Sequence, residues 1–337
     1  MKTITVFNNK GGVGKTTFVC NLAAYLALKR NAKVLIIDAD PQCNATAYML
    51  DDASLEALYS DESRKTIDYF SDSVKRGKGY AATGFAPMSI DRFGVSLVPG
   101  DPRLALFEDR LAQDWKDATS GDPRGLQTTF IFTELAQRCK DYDYVLFDIG
   151  PSLGAINRSV LLASDFFIVP MSSDIFSHLA VANISSALAK WRADLQHGLD
   201  RYENNEGGKF KVREQGAQWS LKFAGYISQQ YTAKKRKGER EPVKAYDTII
   251  RKFSDVIKRE LINKFGIKGL ATKDYKLGQI PNLHSIVPLS QSAHAPIFGL
   301  RAKDGVVGSH FAKVADAEKL FSDCTDGLLR NLKNSLS

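Results

Sequence analysis

A glycine-rich stretch near the amino terminus constrains the fold of this 337-residue chain more than any other feature. Residues 9–17 are Asn-Lys-Gly-Gly-Val-Gly-Lys-Thr-Thr, and they lie between an apolar run at 4–7 and a helix-like run at 18–26. A strand that ends in glycines and continues as a helix forms a phosphate cradle, because its backbone N–H groups converge on phosphate oxygens at the positive end of the helix. Lys15 is expected to reach the β- and γ-phosphates, and the Thr16 hydroxyl to ligate Mg²⁺. The stretch therefore predicts a nucleotide site.

The spacing of this loop departs from the usual pattern G-x-x-x-x-G-K-[ST], which would place glycine where Asn9 stands. The deviant form K-G-G-x-G-K-T, with a second lysine at Lys10, resembles the ParA/MinD family of P-loop ATPases. The resemblance implies that ATP is held by Gly11, Gly12, Val13, Gly14, Lys15, Thr16 and Thr17. It also implies a homodimer that encloses two ATP molecules, with Lys10 crossing to the partner subunit's phosphates. Such a lysine would neutralise charge on the transferred phosphoryl group, as an arginine finger does.

A pair of aspartates follows the apolar segment 33–37, which is typical of a buried parallel strand. Residues 38–46, Asp-Ala-Asp-Pro-Gln-Cys-Asn-Ala-Thr, closely resemble the family signature D-x-D-P-Q-x-N-x-[ST]. By this resemblance Asp40 orients the attacking water, and Asp38 lies near the magnesium shell. Two aspartates at a strand end are, without that context, more often helix caps or turn residues. Cys43 stands where the family usually has glycine, and we interpret it as a tolerated substitution.

A third motif is the apolar strand predicted at 142–148, which ends in Asp148. An apolar strand that ends in aspartate after a phosphate loop is the Walker B pattern, and Asp148 is expected to hold Mg²⁺ through its water shell. The following Gly150-Pro151 is predicted to form the turn of a switch that senses the γ-phosphate. The alternative is that Asp148 caps a helix.

Apolar and helical periodicities along the rest of the chain predict alternating strands and helices. The predicted strands are 3–8, 33–38, 95–100, 142–148, 166–171 and 221–228, and the predicted helices are 16–30, 104–115, 126–140, 155–163, 180–195, 243–265 and 311–336. This alternation predicts a doubly wound, mainly parallel α/β sheet with helices on both faces, in a single domain over 1–337. The pattern weakens at about 51–92 and 196–220, which we interpret as insertions. By resemblance, Ile280 and Pro281 flank the adenine ring.

The net charge of +8 is distributed unevenly. Residues 190–280 contain 21 Lys and Arg against 11 Asp and Glu, so the remainder of the chain is close to neutral. A basic segment favours a polyanionic partner, but solvated helix faces account for the charge equally well. ATP-bound dimers of the family commonly hold nonspecific DNA through lysines and arginines. We therefore nominate the cationic loop Lys234, Lys235, Arg236 and Lys237, whose phosphate contacts would be salt-dependent and blind to sequence.

The four cysteines are scattered and form no C-x-x-C pair, which argues for a reducing cytoplasm and against a zinc site. No apolar run of about 18 residues and no signal peptide is present. We expect a cytoplasmic, nucleoid-associated protein.

The resemblance implies a slow, switch-type ATPase for plasmid or chromosome partition or for positioning another cargo. By resemblance, a ParB-like or other adaptor protein stimulates hydrolysis. One alternative is a membrane-associated regulator of the MinD kind, because residues 327–333 faintly resemble an amphipathic anchor, but such a short signal would bind weakly. Two others are a redox ATPase like the nitrogenase iron protein, which would need suitably placed cysteine pairs, and a metabolic P-loop enzyme, for which no substrate pocket signature is present.

Overall fold

An eight-stranded sheet forms the centre of the computed structural model, which describes residues 1–80, 86–171, 175–229, 254–280, 283 and 285–335. The strands are β1 Lys2–Val6, β2 Val34–Asp38, β3 Met88–Ile90, β4 Val95–Val98, β5 Tyr144–Asp148, β6 Phe166–Met171, β7 Lys211–Val212, β8 Gln215–Gly216, β9 Lys222–Gln229 and β10 Lys276–Ile280. The sheet order is β10-β9-β6-β1-β5-β2-β4-β3, and only the β3–β4 pair is antiparallel. The predicted, mainly parallel sheet is confirmed. Strands β7 and β8 form a separate hairpin.

Helices connect these strands and cover the sheet. The α-helices are α1 Lys15–Arg30, α2 Asn44–Met49, α3 Asp52–Ser60, α4 Ile67–Lys75, α5 Glu108–Thr119, α6 Pro123–Thr129, α7 Ile131–Arg138, α8 Ala155–Leu162, α9 Ile175–Glu206, α10 Val287–Ser292 and α11 His310–Asn334. Shorter segments are the 3₁₀ turns Pro102–Phe107, Thr272–Tyr275, Ile297–Gly299 and Ala302–Asp304, and the π-helical turn Lys258–Ile262, which leads into the α-helical turn Asn263–Phe265.

The two faces of the sheet bury two separate apolar layers, as strand β2 illustrates. Its side chains alternate, so that Leu35 and Ile37 pack in the layer beneath α5–α9, whereas Val34 and Ile36 pack beneath α1 and α11. Residues of opposite parity point to opposite faces of a strand, and all four are buried. The prediction of helices on both faces is therefore confirmed.

The register of the central strands places their carboxyl ends side by side. Val6 of β1 pairs with Asp148 of β5, and Asp148 pairs in turn with Asp38 of β2. Ligands of open α/β sheets bind outside this edge. The loops that follow all three strands therefore meet at one place.

Two predicted boundaries are wrong around residues 119–140. The predicted helix that starts at 126 in fact starts at Pro123, because the Asp122 side chain accepts a hydrogen bond from the Gly125 amide (2.8 Å) and proline suits the first helical position. The predicted helix 126–140 is in fact two helices that join at Phe130.

The region predicted as an irregular insertion at 196–220 is largely regular. Helix α9 continues to Glu206 because Leu199 and Tyr202 pack against the core, and the hairpin β7–β8 follows it. Gly198 does not end the helix. A Cβ there would overlap the Ala118 carbonyl of α5, so glycine is needed where the two helices cross.

The segment 51–92 contains α3, α4 and β3, and it is attached beside the carboxyl edge of the sheet. The Tyr59 hydroxyl donates to the Gly100 carbonyl (2.8 Å), and the Ile67 amide donates to the Pro99 carbonyl (2.9 Å). Whether this segment and 196–220 are insertions relative to other proteins stays a prediction.

Helix α11 packs along α1. Two ion pairs join them, Lys29–Glu318 and Arg30–Asp326, each 2.7 Å. Leu328, in the segment with a faint likeness to a membrane anchor, is fully buried against the core rather than presented to solvent. Within the described ranges, no helix has the length and apolarity needed to cross a bilayer.

Asp101 fastens the segment 51–92 to the sheet edge. Its buried carboxylate accepts hydrogen bonds from Arg64 Nε (3.0 Å), Thr66 Oγ1 (2.8 Å) and Arg103 Nη2 (2.8 Å). Burial alone would raise the pKa of Asp101, but the hydrogen bonds from Arg103, Thr66 and Arg64 outweigh it and hold the pKa well below its usual range.

We expect Asp101→Asn to lower the free energy of unfolding by roughly 3 kcal/mol at pH 7, because it leaves two arginines beside a neutral group. The folded-state pKa of Asp101 is depressed, so its contribution is complete above the unfolded pKa and is lost as pH falls toward the folded value. Urea unfolding should therefore show the difference between the two proteins narrowing below about pH 4. Asp61→Asn, an exposed change in the same segment, is the control, and an equal effect from both would contradict the assignment.

Candidate nucleotide site

The loop between β1 and α1 is shaped to receive an anion. Gly12 (φ 72°) and Gly14 (φ 74°) adopt the left-handed conformation that favours glycine. Helix α1 begins at Lys15 with no side-chain cap and no acidic residue in its first turn. The first backbone N–H groups of a helix need partners from outside it, and here they face an open loop. A phosphate group fits this cradle.

Lys15 places a buried ammonium group at the base of the loop. The residue is only 7% exposed, and its Nζ donates to the Lys10 carbonyl at 3.4 Å. Burial lowers the pKa of Lys15, whereas the nearby Asp148 and Asp40 carboxylates act in the opposite direction. A cation with so little hydration is suited to bind phosphate oxygens directly.

Asp148 is the carboxylate best suited to a metal ion. It is fully buried at the end of β5, and neither of its oxygens has a hydrogen-bond partner among the described residues. Burial and the Asp38 charge raise the pKa of Asp148 well above its usual value, whereas the nearby Thr16 hydroxyl acts in the opposite direction without meeting the geometry of a hydrogen bond. A buried carboxylate without a partner is unfavourable unless a ligand supplies one. Asp148 caps no helix.

Asp38, in contrast, is already bonded within the chain. Its Oδ2 accepts hydrogen bonds from the Thr46 amide (2.8 Å) and hydroxyl (2.6 Å), and Oδ1 accepts from the Asp40 amide (3.3 Å). The Thr46 hydroxyl also accepts from the Gly100 amide at 2.8 Å. Asp38 therefore ties the start of α2 and the end of β4 to the site, and its place in a magnesium shell stays a prediction.

Asp40 lies two residues beyond the end of β2 and beside Gly150, in the loop after β5. Its Oδ1 accepts from the Gln42 amide at 3.0 Å, and a Cβ added to Gly150 would lie 3.2 Å from the same oxygen. The carboxylate is thus in contact with the switch predicted at Gly150-Pro151. Cys43 has φ 54°, in the left-handed region, which explains why glycine is the usual residue there.

The residues at this edge fit Mg²⁺ and a triphosphate together. Among the residues that the structure describes, no cluster of three His, Cys, Asp or Glu side chains could chelate a metal alone. Mg²⁺ usually takes one or two protein ligands and completes its shell with water and substrate phosphates. Thr16 and the unpartnered Asp148 supply such a partial set.

A cavity of about 350 Å³ continues from the loop, lined by Thr16, Thr17, Asn44, Ala47, Tyr48 and Gln291. The Tyr48 hydroxyl at its wall donates to or accepts from Ser290, and it accepts from Asn21 Nδ2 at 3.0 Å. The sequence motifs did not indicate Tyr48. Tyr48 is an aromatic residue two positions beyond the polar signature at 38–46. From the sequence alone it cannot be distinguished from a residue of the apolar core.

The structure brings together most of the residues that the sequence predicts for the site, namely Lys10, Gly11, Gly12, Val13, Gly14, Lys15, Thr16, Thr17, Asp38, Asp40 and Asp148. Ile280 ends β10, the outer strand of the sheet, three strands away from β1. Pro281 lies outside the described residues, as does the cationic loop Lys234, Lys235, Arg236 and Lys237. The adenine and DNA contacts therefore stay predictions.

Comparisons with known proteins place this site in a family. A family model described as an AAA domain matches residues 1–200. The chromosome-partitioning ATPase Soj of Thermus thermophilus is 31% identical over 199 residues, which cover 59% of this chain and 66% of Soj. The probable plasmid-partitioning protein ParA of the same organism is 29% identical over 195 residues, covering 58% of this chain and 52% of that protein.

A solved structure shares the fold of this chain. The crystal structure of a Corynebacterium diphtheriae protein matches with a TM-score of 0.71 at 30% identity, over 87% of this chain and 97% of that one. The chain spans about half to two thirds of the length of the two curated relatives, whereas it covers nearly all of the crystallised protein.

We expect Asp148→Asn to stabilise the nucleotide-free protein while it removes binding of Mg²⁺. Replacing the unpartnered, buried carboxylate removes part of a desolvation penalty of about 1 to 3 kcal/mol, so the melting temperature should rise. Addition of Mg²⁺ with a nonhydrolysable ATP analogue should then raise the melting temperature of the unmodified protein but not that of the variant.

Asp114→Asn is the matched control for this prediction. Asp114 is also buried, but its Oδ2 is paired with Arg110 Nε at 2.8 Å. The same chemical change should therefore destabilise the protein and leave the response to Mg²⁺ and nucleotide intact. A fall in melting temperature for Asp148→Asn, or a full response to Mg²⁺, would contradict the metal assignment.

Proposed function

This chain belongs to the AAA-domain family that includes the ParA-type partition ATPases, and we propose that it is an ATP-driven switch whose states differ in subunit pairing. One observation carries the proposal. The desolvated Lys15 ammonium, the unpartnered Asp148 carboxylate and Asp40 converge on one open phosphate cradle. A cation for phosphates, a ligand for Mg²⁺ and a group for the attacking water are the set that phosphoryl transfer requires.

Each of these side chains has a distinct part in hydrolysis. Lys15 neutralises the β- and γ-phosphate oxygens, and the uncapped amides of α1 bind the phosphates from the other side. Mg²⁺, held by Thr16 and through water by Asp148, would draw electron density from the same oxygens. Asp40 orients the attacking water, since its carboxylate faces the loop that follows Asp148. Catalysis rests on position and charge rather than on a covalent intermediate, and turnover is slow without a partner.

Lys10 is assigned to the partner subunit's nucleotide. Its backbone is fixed in the loop, because its amide donates to Asn8 Oδ1 at 2.9 Å and its carbonyl accepts from Lys15. By family resemblance its side chain crosses the interface of an ATP-bound homodimer. Nucleotide occupancy and dimerisation are then linked, since a ligand shifts an equilibrium only by its differential affinity for the two states.

The cellular task follows from the names of the relatives and from the charge of the chain. Soj is named a chromosome-partitioning ATPase and ParA a plasmid-partitioning protein. We infer that this chain acts in the cytoplasm on the segregation of DNA or on the positioning of another cargo. The ATP-bound dimer holds nonspecific DNA through basic residues between 190 and 280, and a ParB-like or other adaptor stimulates hydrolysis and releases it.

The pairing proposal is tested with Asp40→Ala, which should bind ATP without hydrolysing it. With Mg²⁺ and ATP this protein is expected to elute as a dimer by size-exclusion chromatography with light scattering. Adding Lys10→Ala should return it to a monomer, and Lys10→Ala alone should slow hydrolysis by about 100-fold or more, the loss typical of a preorganised charge contact.

Lys116→Ala, an exposed lysine of α5, is the control and should leave both measurements unchanged. The proposal fails if Lys10→Ala retains nucleotide-driven pairing and normal turnover. It fails more broadly if the unmodified protein neither binds nor hydrolyses ATP.

The DNA proposal predicts that reversing Lys234, Lys235 and Arg236 to glutamate weakens nonspecific DNA binding and reduces its dependence on salt. Each lost phosphate contact should make the slope of log affinity against log salt concentration less negative by about 0.9. The measurement is fluorescence anisotropy of duplex DNA with ATP and the Asp40→Ala background. Reversal of the exposed lysines Lys116, Lys140 and Lys319 is the matched control. Equal losses from both triple variants would leave no role for this loop.

A further inference from the structure

The helix that follows the switch loop is capped by a residue from a different helix. Gly154, at the start of α8, has no side chain with which to cap it. The Glu108 carboxylate of α5 performs this task, accepting hydrogen bonds from the Ala155 amide and, at 2.9 Å, from the Ile156 amide. Both carboxylate oxygens are used, and a negative charge lies at the positive end of α8.

The first turn of α8 in turn holds the switch loop. Asn157 is buried, and its Nδ2 donates to the carbonyls of Gly150 and Ser152, each at 2.7 Å. Gly150 lies beside the Asp40 carboxylate, since a Cβ built on it would be 3.2 Å from Asp40 Oδ1. A continuous set of contacts therefore runs from Glu108 through α8 and Asn157 to the group assigned to the attacking water.

Arg158 joins α8 to α5 through further contacts, and its buried guanidinium lies within the electrostatic reach of the Glu108 and Asp194 carboxylates. Arg158 Nη2 donates to the Leu111 carbonyl at 3.2 Å, and its guanidinium carbon lies 4.3 Å from the centre of the Trp115 ring. The guanidinium also lies over Trp191 of α9. Loss of Glu108 should therefore leave the Ala155 and Ile156 amides without an acceptor, while the contacts of Arg158 with Leu111 and Trp115 keep α8 on α5.

We propose that Glu108 is a positioning residue for hydrolysis, which holds the Gly150–Gly154 loop against Asp40 through the amino terminus of α8. The inference rests on the proposed ATPase function. When the loop loses this anchor it moves more, and Asp40 spends less time in the geometry needed for reaction. The turnover number therefore falls. Nucleotide affinity changes little, because the phosphates are held by the loop at 10–17 and not by α8.

The test compares Glu108→Ala with Asp122→Ala, which removes an equivalent acidic cap from α6. In the nucleotide-free proteins, amide hydrogen exchange of a peptide covering residues 150–157 should accelerate in Glu108→Ala and stay unchanged in Asp122→Ala. We also expect kcat to fall on the order of tenfold with KM nearly constant, less than the roughly 100-fold that a misplacement of 1 Å can cause. Glu108→Gln, which keeps one acceptor oxygen, should lie between Glu108→Ala and the unmodified protein.

Gly154 allows a second, independent measurement. A Cβ at this position would overlap the Glu108 carboxylate, so Gly154→Ala should displace it and slow turnover. In the Glu108→Ala background the same substitution should have little further effect, because the overlapping carboxylate is gone and Ser152 Oγ, 3.2 Å from the added Cβ, needs only a small shift. Additive effects of the two substitutions on kcat would contradict the proposed contact.

The outcomes separate this inference from the function on which it depends. If the unmodified protein hydrolyses ATP but Glu108→Ala matches Asp122→Ala in exchange and in kcat, Glu108 has no positioning role. An unchanged or raised kcat in Glu108→Ala overturns the inference as well. If the unmodified protein has no ATPase activity, the proposed function fails, and faster exchange at 150–157 in Glu108→Ala would still establish the cap.

Discussion

Buried charge at one edge of a parallel sheet is the constraint on which the rest of this structure depends. The register of β1, β5 and β2 brings Asp148 level with Asp38, and the loop after β1 adds Lys15 to the same dry region. This arrangement adds little to the stability of the folded protein, because an unpartnered buried carboxylate is destabilising. The arrangement becomes favourable when a ligand provides a cation beside Asp148 and oxygens beside Lys15. The site is thus stabilised by its occupant, as expected where binding is coupled to a change of state.

The carboxylates near this edge divide into two groups by their partners. Asp38 and Asp101 are saturated with hydrogen bonds from Thr46 and from the Arg64 and Arg103 side chains, and both connect elements of the fold. Asp148 is equally buried, but it has no hydrogen-bond partner. Asp38 and Asp101 thus have partners within the chain, whereas Asp148 is the carboxylate that would gain most from an external cation. This difference explains why aspartates at similar strand ends, Asp38 and Asp148, need not have similar roles.

Backbone preferences and apolar runs in the sequence predict the sheet and the phosphate loop. They do not predict side-chain contacts between distant segments. Gly12 and Gly14 are required by the left-handed backbone, and continuous apolar runs identify the buried strands. Gly198 shows the limit of such rules: its low helix propensity favours a break, yet the crossing of α5 and α9 requires it within the helix. Glu108 is an ordinary polar residue in sequence, and its partners lie 47 and 48 positions away. The cap arises only when α5 packs beside the start of α8.

The short segment from Gly100 to Glu108 contacts the loops after both acidic strands. Its first residue donates to Thr46, which is bonded to Asp38, and its last residue caps the helix that follows Asp148. Packed sheets resist gradual deformation, so a change at the nucleotide edge reaches the surface more readily through rigid elements that shift between discrete positions. The segment is fixed at Asp101 by arginines and continues directly into α5, which packs on α8 and α9. The segment therefore connects the loops after both acidic strands to the helical face of the molecule.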